Sequence, residues 1–368
     1  MLIEQVTAVP VRVPLRSPLV TALGAARFSE YGIVRLRTDD GREGLGEISM
    51  IWHGNGVGLC RDVVDRIGPA VTGLPVLSRT AVMQRASREL QFGRHSLAAL
   101  AALDMALLDL AGQELGQPVL NLLGGKVRDS VELSMSLSIA DTADVVLEAK
   151  QYVDQGFRAL KVKGDRDIDR LVQTVQALRS EFGPELKLRV DFNMACHQAK
   201  EALSILRRLE PYDVISAEQP LSADDFEGAR FLTATSPIPV MLDESVWTAR
   251  DALRAIRMRA ADLVNIYVSE AGGLSEAMRM AQLCETAGLG IAIGSMPELG
   301  IGTSAAAHVA FAVPRLEHPS DVAGFAYHAD DVVTHDLRIV DGRLLPPTAP
   351  GLGVRIDEEK LAHYRWEV

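Results

Sequence analysis

The chain is predicted to be an α/β protein built on a parallel (β/α) barrel, with a smaller α+β module ahead of it. Three observations carry that prediction. Carboxylates stand near the ends of successive apolar runs: Asp191 in Val190-Asp191-Phe192-Asn193, Glu218 in Ala217-Glu218-Gln219-Pro220 and Asp243 in Leu242-Asp243-Glu244-Ser245. The steps between them, and the similar step back to Lys161-Val162-Lys163, each suit one strand, one helix and two short loops, since parallel strands need a crossover of roughly a dozen residues or more. From Val131 onward, apolar runs of strand length alternate with stretches of helical period. Equivalent positions on consecutive units converge at one end of a barrel, where an oxygen-ligated divalent cation can sit beside a basic lysine.

The elements follow in order. Residues 6–13 alternate as a strand. Ile33 to Arg37, the Asp40-Gly41 pair and Glu43 to Gly46 read as a hairpin closed by an Asp-Gly turn. Residues 17–29 show no period and read as a loop of the kind that covers sites. Helical patterns follow at 59–67, 80–90 and 97–115, the last stopped by Gly116-Gln117-Pro118. Residues 1–125 thus form the α+β module. Barrel strands are expected at 131–139, 158–163, 186–191, 214–218, 240–243, 263–268 and 290–294, with a weak eighth around 321–324. Helices are expected at 142–155, 167–182, 198–209, 275–287 and 303–312, placing the barrel over 126–344. The Pro-rich tail, 345–368, cannot form another unit and is expected to run back to the first module.

Composition bounds the function. The 368 residues exceed the usual single-core size. Hydrophobic content of 48% with 24% charged residues describes a globule with ample core. A net charge of −11 disfavours nucleic acid or an anionic membrane as partner. It does not disfavour a small anionic substrate, because a bound metal inverts the local field. Cys60, Cys196 and Cys284 lack the spacing of a zinc site or disulfide framework. The N-terminus has neither a basic n-region nor an apolar h-region, and no apolar run approaches a membrane span, so a cytoplasmic enzyme is expected.

Crowded carboxylates repel unless a cation neutralises them, and three hard oxygen donors plus waters suit Mg²⁺ or Mn²⁺. Asn193 can contact a ligand or the substrate, and Glu244 is a competing ligand or a support for one. Lys161 and Lys163, two apart on a strand, point to the same side, here the barrel interior. Repulsion and partial burial would lower one ammonium toward the range of a general base. Lys161 is read as neutralising the acids and Lys163 as the base. Weaker candidates for lining the pocket are Glu298, Asp321 and His197, with Trp52, His53 and the 17–29 loop closing over it.

The chain resembles the enolase superfamily, in its mandelate racemase/muconate lactonizing enzyme group. The motifs are Ala101-Ala102-Leu103-Asp104-Met105-Ala106, Leu122-Leu123-Gly124-Gly125, Lys161-Val162-Lys163, Asp191-Phe192-Asn193, Glu218-Gln219-Pro220, Asp243-Glu244-Ser245 and Gly272-Gly273-Leu274. The resemblance implies a modified barrel under an N-terminal cap, one essential Mg²⁺, and abstraction of the proton α to a carboxylate to give a metal-stabilised enolate. It implies Lys163 as base, Asp191, Glu218 and Asp243 as metal ligands, and a homo-oligomer.

One departure bears on the reaction. Relatives carry a second lysine on strand six in a pattern like Asn-Ile-Lys, whereas this chain has Asn265-Ile266-Tyr267. Tyrosine has an ordinary pKa near 10 and no positive charge. A one-base cycloisomerisation of muconate type, or dehydration of a small carboxylic acid, is therefore favoured, with Tyr267 donating a proton, bonding the substrate or filling the barrel. The alternatives are a racemase or epimerase of an amino-acid derivative, Schiff-base chemistry on a lysine, and a ligand-binding relative without catalysis.

Overall fold

A computed structural model describes residues 1–50, 56–90 and 93–366; Trp52 and His53 lie outside the described residues. The N-terminal module is an antiparallel sheet of β1 (Ile3–Thr21), β2 (Gly24–Thr38) and β3 (Glu43–Ile48). The Asp-Gly turn forms as expected: Gly41 takes φ +83° and donates its N–H to the Thr38 carbonyl at 2.9 Å. Residues 17–29 depart from the expected loop. They extend the β1–β2 hairpin, with Leu19 opposite Ala26 and Thr21 opposite Gly24. A register shift between Pro14 and Leu19 breaks the alternation that would have revealed the strand.

The helix Ser96–Leu115 covers this sheet. Its alanines and the glycines of β3 let the two backbones approach closely. A Cβ placed on Gly46 would lie 1.9 Å from the Ala102 carbonyl oxygen, so glycine is the residue that fits. By length and composition this helix could cross a membrane, but 78% of its apolar window is buried within the protein, as befits a core helix.

Seven parallel strands follow: β5 (Ser134–Leu137), β6 (Ala159–Lys163), β7 (Lys187–Asp191), β8 (Val214–Glu218), β9 (Val240–Leu242), β10 (Leu263–Ile266) and β11 (Gly290–Ile293). They pair in chain order, each joined to the next through a crossover bearing helix. The expected first strand is split. Its start is β4 (Val131–Glu132), which pairs instead with β14 (Arg343–Leu344), itself paired with β13 (Ile339–Val340). The weak eighth strand is a single bridge, Ser320 to Leu133. Even so, Ser320 accepts from Ser134 N–H at 2.8 Å and Asp321 donates to the Ile293 carbonyl at 2.8 Å, so this short segment closes the gap between β11 and β5. The sixth strand ends at Ile266, and Val268, expected within it, begins the short helix Val268–Ala271. Gly272 and Gly273, both at positive φ, turn the chain out of it.

The tail runs back over the N-terminal module. β15 (Val354–Ile356) pairs with β12 (Val333–His335). The helix Glu358–Tyr364 then brings Glu358 onto Arg35 with bidentate bonds of 2.8 and 2.7 Å, and Trp366 N–H donates to the Pro10 carbonyl at 2.9 Å. Buried Asp109 joins both pieces, accepting from Leu45 N–H at 3.0 Å and Leu352 N–H at 2.8 Å. Gly46→Val should separate helix and sheet and lower stability by about 1–3 kcal/mol. Urea unfolding monitors this, and an unchanged midpoint would show that the contact is not tight.

Candidate active site

Strand register builds the site. Lys163 lies beside Asp191, and Asp191 beside Glu218, on β6, β7 and β8. Asp243 follows the end of β9 directly. Side chains two apart on a strand share a face, so Lys161 and Lys163, then Arg189 and Asp191, enter the same interior.

At the bottom is a buried ion cluster. Arg189 is 0% exposed and reaches Glu218 Oε2 at 2.8 Å, Asp321 Oδ1 at 2.9 Å and the Pro319 carbonyl at 3.0 Å. Lys161 Nζ sits 2.8 Å from Asp321 Oδ2, 3.1 Å from Glu218 Oε1 and 3.8 Å from Asp191 Oδ2. Burial pulls the Lys161 ammonium down, but Asp321, Glu218 and Asp191 overcome it and hold it well above the ordinary lysine range. Glu218 behaves in the mirror sense: burial raises its carboxyl, and Lys161 with Arg189 brings it below the carboxylate range. Lys161 therefore stays charged, as its reading as neutraliser requires.

Above the cluster Lys163 Nζ contacts Asp191 Oδ2 at 2.5 Å and Asn193 Oδ1 at 3.3 Å. Asn193, at φ +40°, donates its amide to Glu244 Oε1 at 3.1 Å and its backbone N–H to Asp191 Oδ1 at 2.9 Å. Tyr267 OH donates to Asp243 Oδ2 at 2.7 Å. Burial and the Asp243 charge keep its phenol protonated, far above its usual titration. A Cβ on Gly294 would lie 2.4 Å from the Tyr267 ring, so glycine there makes room for the tyrosine.

Lys161, Lys163, Asn193, Asp243, Glu244, Tyr267 and Asp321 line one cleft that opens to solvent. Asp191 and Glu218 stand behind its lysines. Two expectations need correction. Glu298 does not line the cleft; it is buried behind it, bonded to Ser295 Oγ and to Met296 N–H, and so braces the loop whose Ser295, Met296 and Pro297 do line it. His197 is exposed and donates its backbone N–H to Glu201 Oε2 at 2.9 Å at the start of a helix.

Sequence reasoning missed Arg189 and Glu270. The signal for Arg189 was a charge placed two before Asp191 in an apolar strand. Leu19 and Leu23, from the hairpin end, roof the cleft. Glu270 follows strand six and carries no recognisable motif.

The donor chemistry suits a hard divalent cation. Burial together with Glu244, Glu218 and Glu270 drives the Asp243 carboxyl well above its ordinary value, and burial with Asp191 pushes Glu244 up to about 7. Acids so crowded call for added positive charge. Glu244 Oε2 and Asn265 Oδ1 are buried without hydrogen-bond partners among the described residues. The carboxylates meanwhile rest on the protein's own donors, and among the described residues no three His, Cys, Asp or Glu side chains stand in a ready ligand arrangement.

Known proteins match along the whole chain. Residues 3–124 match the mandelate racemase / muconate lactonizing enzyme N-terminal domain, and residues 144–360 match the enolase C-terminal domain-like family. L-Ala-D/L-Glu epimerase of Bacillus subtilis (strain 168) is 32% identical over 355 residues, covering 94% of each chain. Muconate cycloisomerase 1 of Pseudomonas putida is 30% identical over 372 residues, covering 99% of this chain and 98% of its own. Among solved structures, the muconate lactonizing enzyme from Pseudomonas fluorescens complexed with muconolactone superposes with a TM-score of 0.94 at 32% identity and 99% coverage of both chains. N-succinyl Arg/Lys racemase from Bacillus cereus gives 0.95 at 28% identity, covering 100% of this chain and 99% of that one. With its capping sheet, curled parallel barrel and convergent acids and lysines, the chain belongs to the enolase superfamily, in the mandelate racemase/muconate lactonizing enzyme group.

Proposed function

We propose that this chain is a Mg²⁺-dependent enzyme that removes the proton α to the carboxylate of a small acid, as a one-base cycloisomerase or lyase with Lys163 as the base. One observation carries the reading: Lys161 and Lys163 enter a single cleft beside Asp191, Glu218 and Asp243, while the strand-six position opposite holds a tyrosine bonded to an acid. A dipeptide epimerase complexed with Mg from Enterococcus faecalis, of closely similar fold (TM-score 0.90, 30% identity), supports the choice of metal.

Asp191, Glu218 and Asp243 would hold Mg²⁺, with Glu244 beside them. Mg²⁺ bound there supplies positive charge for the substrate carboxylate as its α-carbon loses a proton. Lys163 takes the proton, and Asn193 and Asp191 orient its amine. Lys161, fixed in its charged form, stabilises negative charge developing on the substrate oxygens. Leu19, Leu23 and the 295–297 loop restrict water around the reacting carbon.

Inversion at the α-carbon needs a proton donor on the face opposite Lys163. Tyr267 points its proton at Asp243, which argues against a lysine-like exchange there and favours ring closure or elimination. The relatives include both an epimerase and a cycloisomerase, so the reaction test is chemical.

Chelation with EDTA should abolish exchange of the α-hydrogen into heavy water on a panel of carboxylic acids, and Mg²⁺ should restore it. Lys163→Ala should reduce exchange by about 10²-fold or more with an unchanged circular dichroism spectrum. Exchange at the native rate in that variant would remove Lys163 as base. Tyr267→Phe should keep exchange within about tenfold of native, since the loss of one hydrogen bond is of that order; a loss as large as that of Lys163→Ala would make Tyr267 the second proton carrier.

A further inference from the structure

The most anomalous group in the cleft is Glu270. It sits on the short helix Val268–Ala271 after β10, with β7, β8 and β9 between it and β6, and so stands across the barrel from Lys163. It lines the cleft and is 5% exposed. Neither of its carboxylate oxygens has a hydrogen-bond partner among the described residues. A buried acid with both oxygens bare is costly, and native proteins rarely keep one without a use.

Burial, with the charges of Glu244 and Glu298, pushes the Glu270 carboxyl well above its ordinary value, and the Arg94 charge opposes that shift. Arg94 is committed elsewhere: it donates to the Glu244 carbonyl at 3.1 Å and to Asp251 Oδ1 at 3.5 Å, and its guanidinium lies 5.6 Å from the Trp247 ring centre. Deeper in the site Lys161 and Arg189 answer Glu218 and Asp321. With Lys163 acting as the base, Asp191, Asp243, Glu244 and Glu270 together exceed what one dication answers. The substrate carboxylate then adds another negative charge. Glu270 lines the cleft with both carboxylate oxygens buried and bare among the described residues.

We propose that Glu270 receives an ammonium group of the substrate, so that the enzyme acts on amine-bearing carboxylates rather than on dianions such as muconate. This rests on the α-proton reading above and narrows its substrate class. A substrate carrying one carboxylate and one ammonium brings no net charge into the cleft. Its carboxylate goes toward the metal and Lys161, and its ammonium donates to Glu270 on the opposite wall, with the α-carbon between them. A dicarboxylate would set its second anion against Glu270 and Glu244. Of the one-base reactions, elimination from an amino acid derivative then suits the site better than muconate ring closure.

The test uses full-length protein loaded with Mg²⁺ and calorimetric titration of matched probes: L-proline against cyclopentanecarboxylate, L-leucine against 4-methylpentanoate, and L-alanyl-L-leucine against its N-acetyl form, with cis,cis-muconate as the dianion. The ammonium-bearing member should bind tenfold or more tightly than its ammonium-free twin in at least one pair, the scale of a hydrogen bond to a charged group. Glu270→Gln should cut that preference to about threefold or less by weakening binding of the ammonium-bearing member. Thermal unfolding of the variant confirms its fold. Absence of an ammonium preference in every pair, tighter binding of muconate than of any ammonium probe, or a preference that survives Glu270→Gln overturns the proposal. Heavy-water exchange on the same panel reads the α-proton chemistry separately: ammonium preference without exchange defeats the proposed reaction and leaves the Glu270 assignment standing.

Discussion

A network of buried ions is the constraint around which this protein is arranged. Arg189 and Lys161 lie inside the barrel with Glu218 and Asp321, drawn from β6, β7, β8 and the segment that closes the barrel after β11. Removing one member would strand a charge away from water, at a cost of about 3–5 kcal/mol. The network therefore ties the closing segment, which has almost no strand pairing of its own, to the middle of the sheet. It also fixes the protonation of the site, because Lys161 is kept charged by the acids that Arg189 helps to hold in place.

The N-terminal module completes the cleft from the other side. Tyr31 OH donates to the Pro297 carbonyl at 3.1 Å and also bonds the Met296 carbonyl. Glu47 accepts from Leu299 N–H at 2.9 Å and Gly302 N–H at 2.8 Å at the start of the helix Gly300–Ala312. Burial pushes the Glu47 carboxyl up to about 8. Two residues of the capping sheet thus hold the loop that bears Ser295, Met296 and Pro297. The hairpin end carries Leu19 and Leu23 to the same opening, fastened by Ile139 N–H on the Val20 carbonyl at 3.0 Å. Substrate shape is set where these two modules meet.

Tyr267 and Glu270 together change the wall opposite Lys163. Tyr267 turns inward to Asp243 and leaves no cation there. Glu270, one turn further on, adds an acid without a hydrogen-bond partner among the described residues. Both residues follow the same strand, so the wall opposite Lys163 carries a phenol and an acid where the resemblance implied a lysine.

The alternation of strands and helices, the Asp-Gly hairpin, the positions of Asp191, Glu218 and Asp243 and the shared face of Lys161 and Lys163 were all legible from the chain, because each depends on local period and spacing. Other features were not. The split of the first strand depends on β14, more than two hundred residues away. The continuation of the hairpin through 17–29 depends on a register shift that erases alternation. Glu298 looked like a cleft residue because its loop follows β11, yet its side chain faces the backbone it supports. Glu270 could be recognised only by what fails to contact it. Sequence by itself determined which groups lie at equivalent positions on successive units. Which carboxylates are answered by cations, and which one is left bare to meet a ligand, was decided by the tertiary structure, since charge balance in a buried cleft is summed over strands and loops distant along the chain.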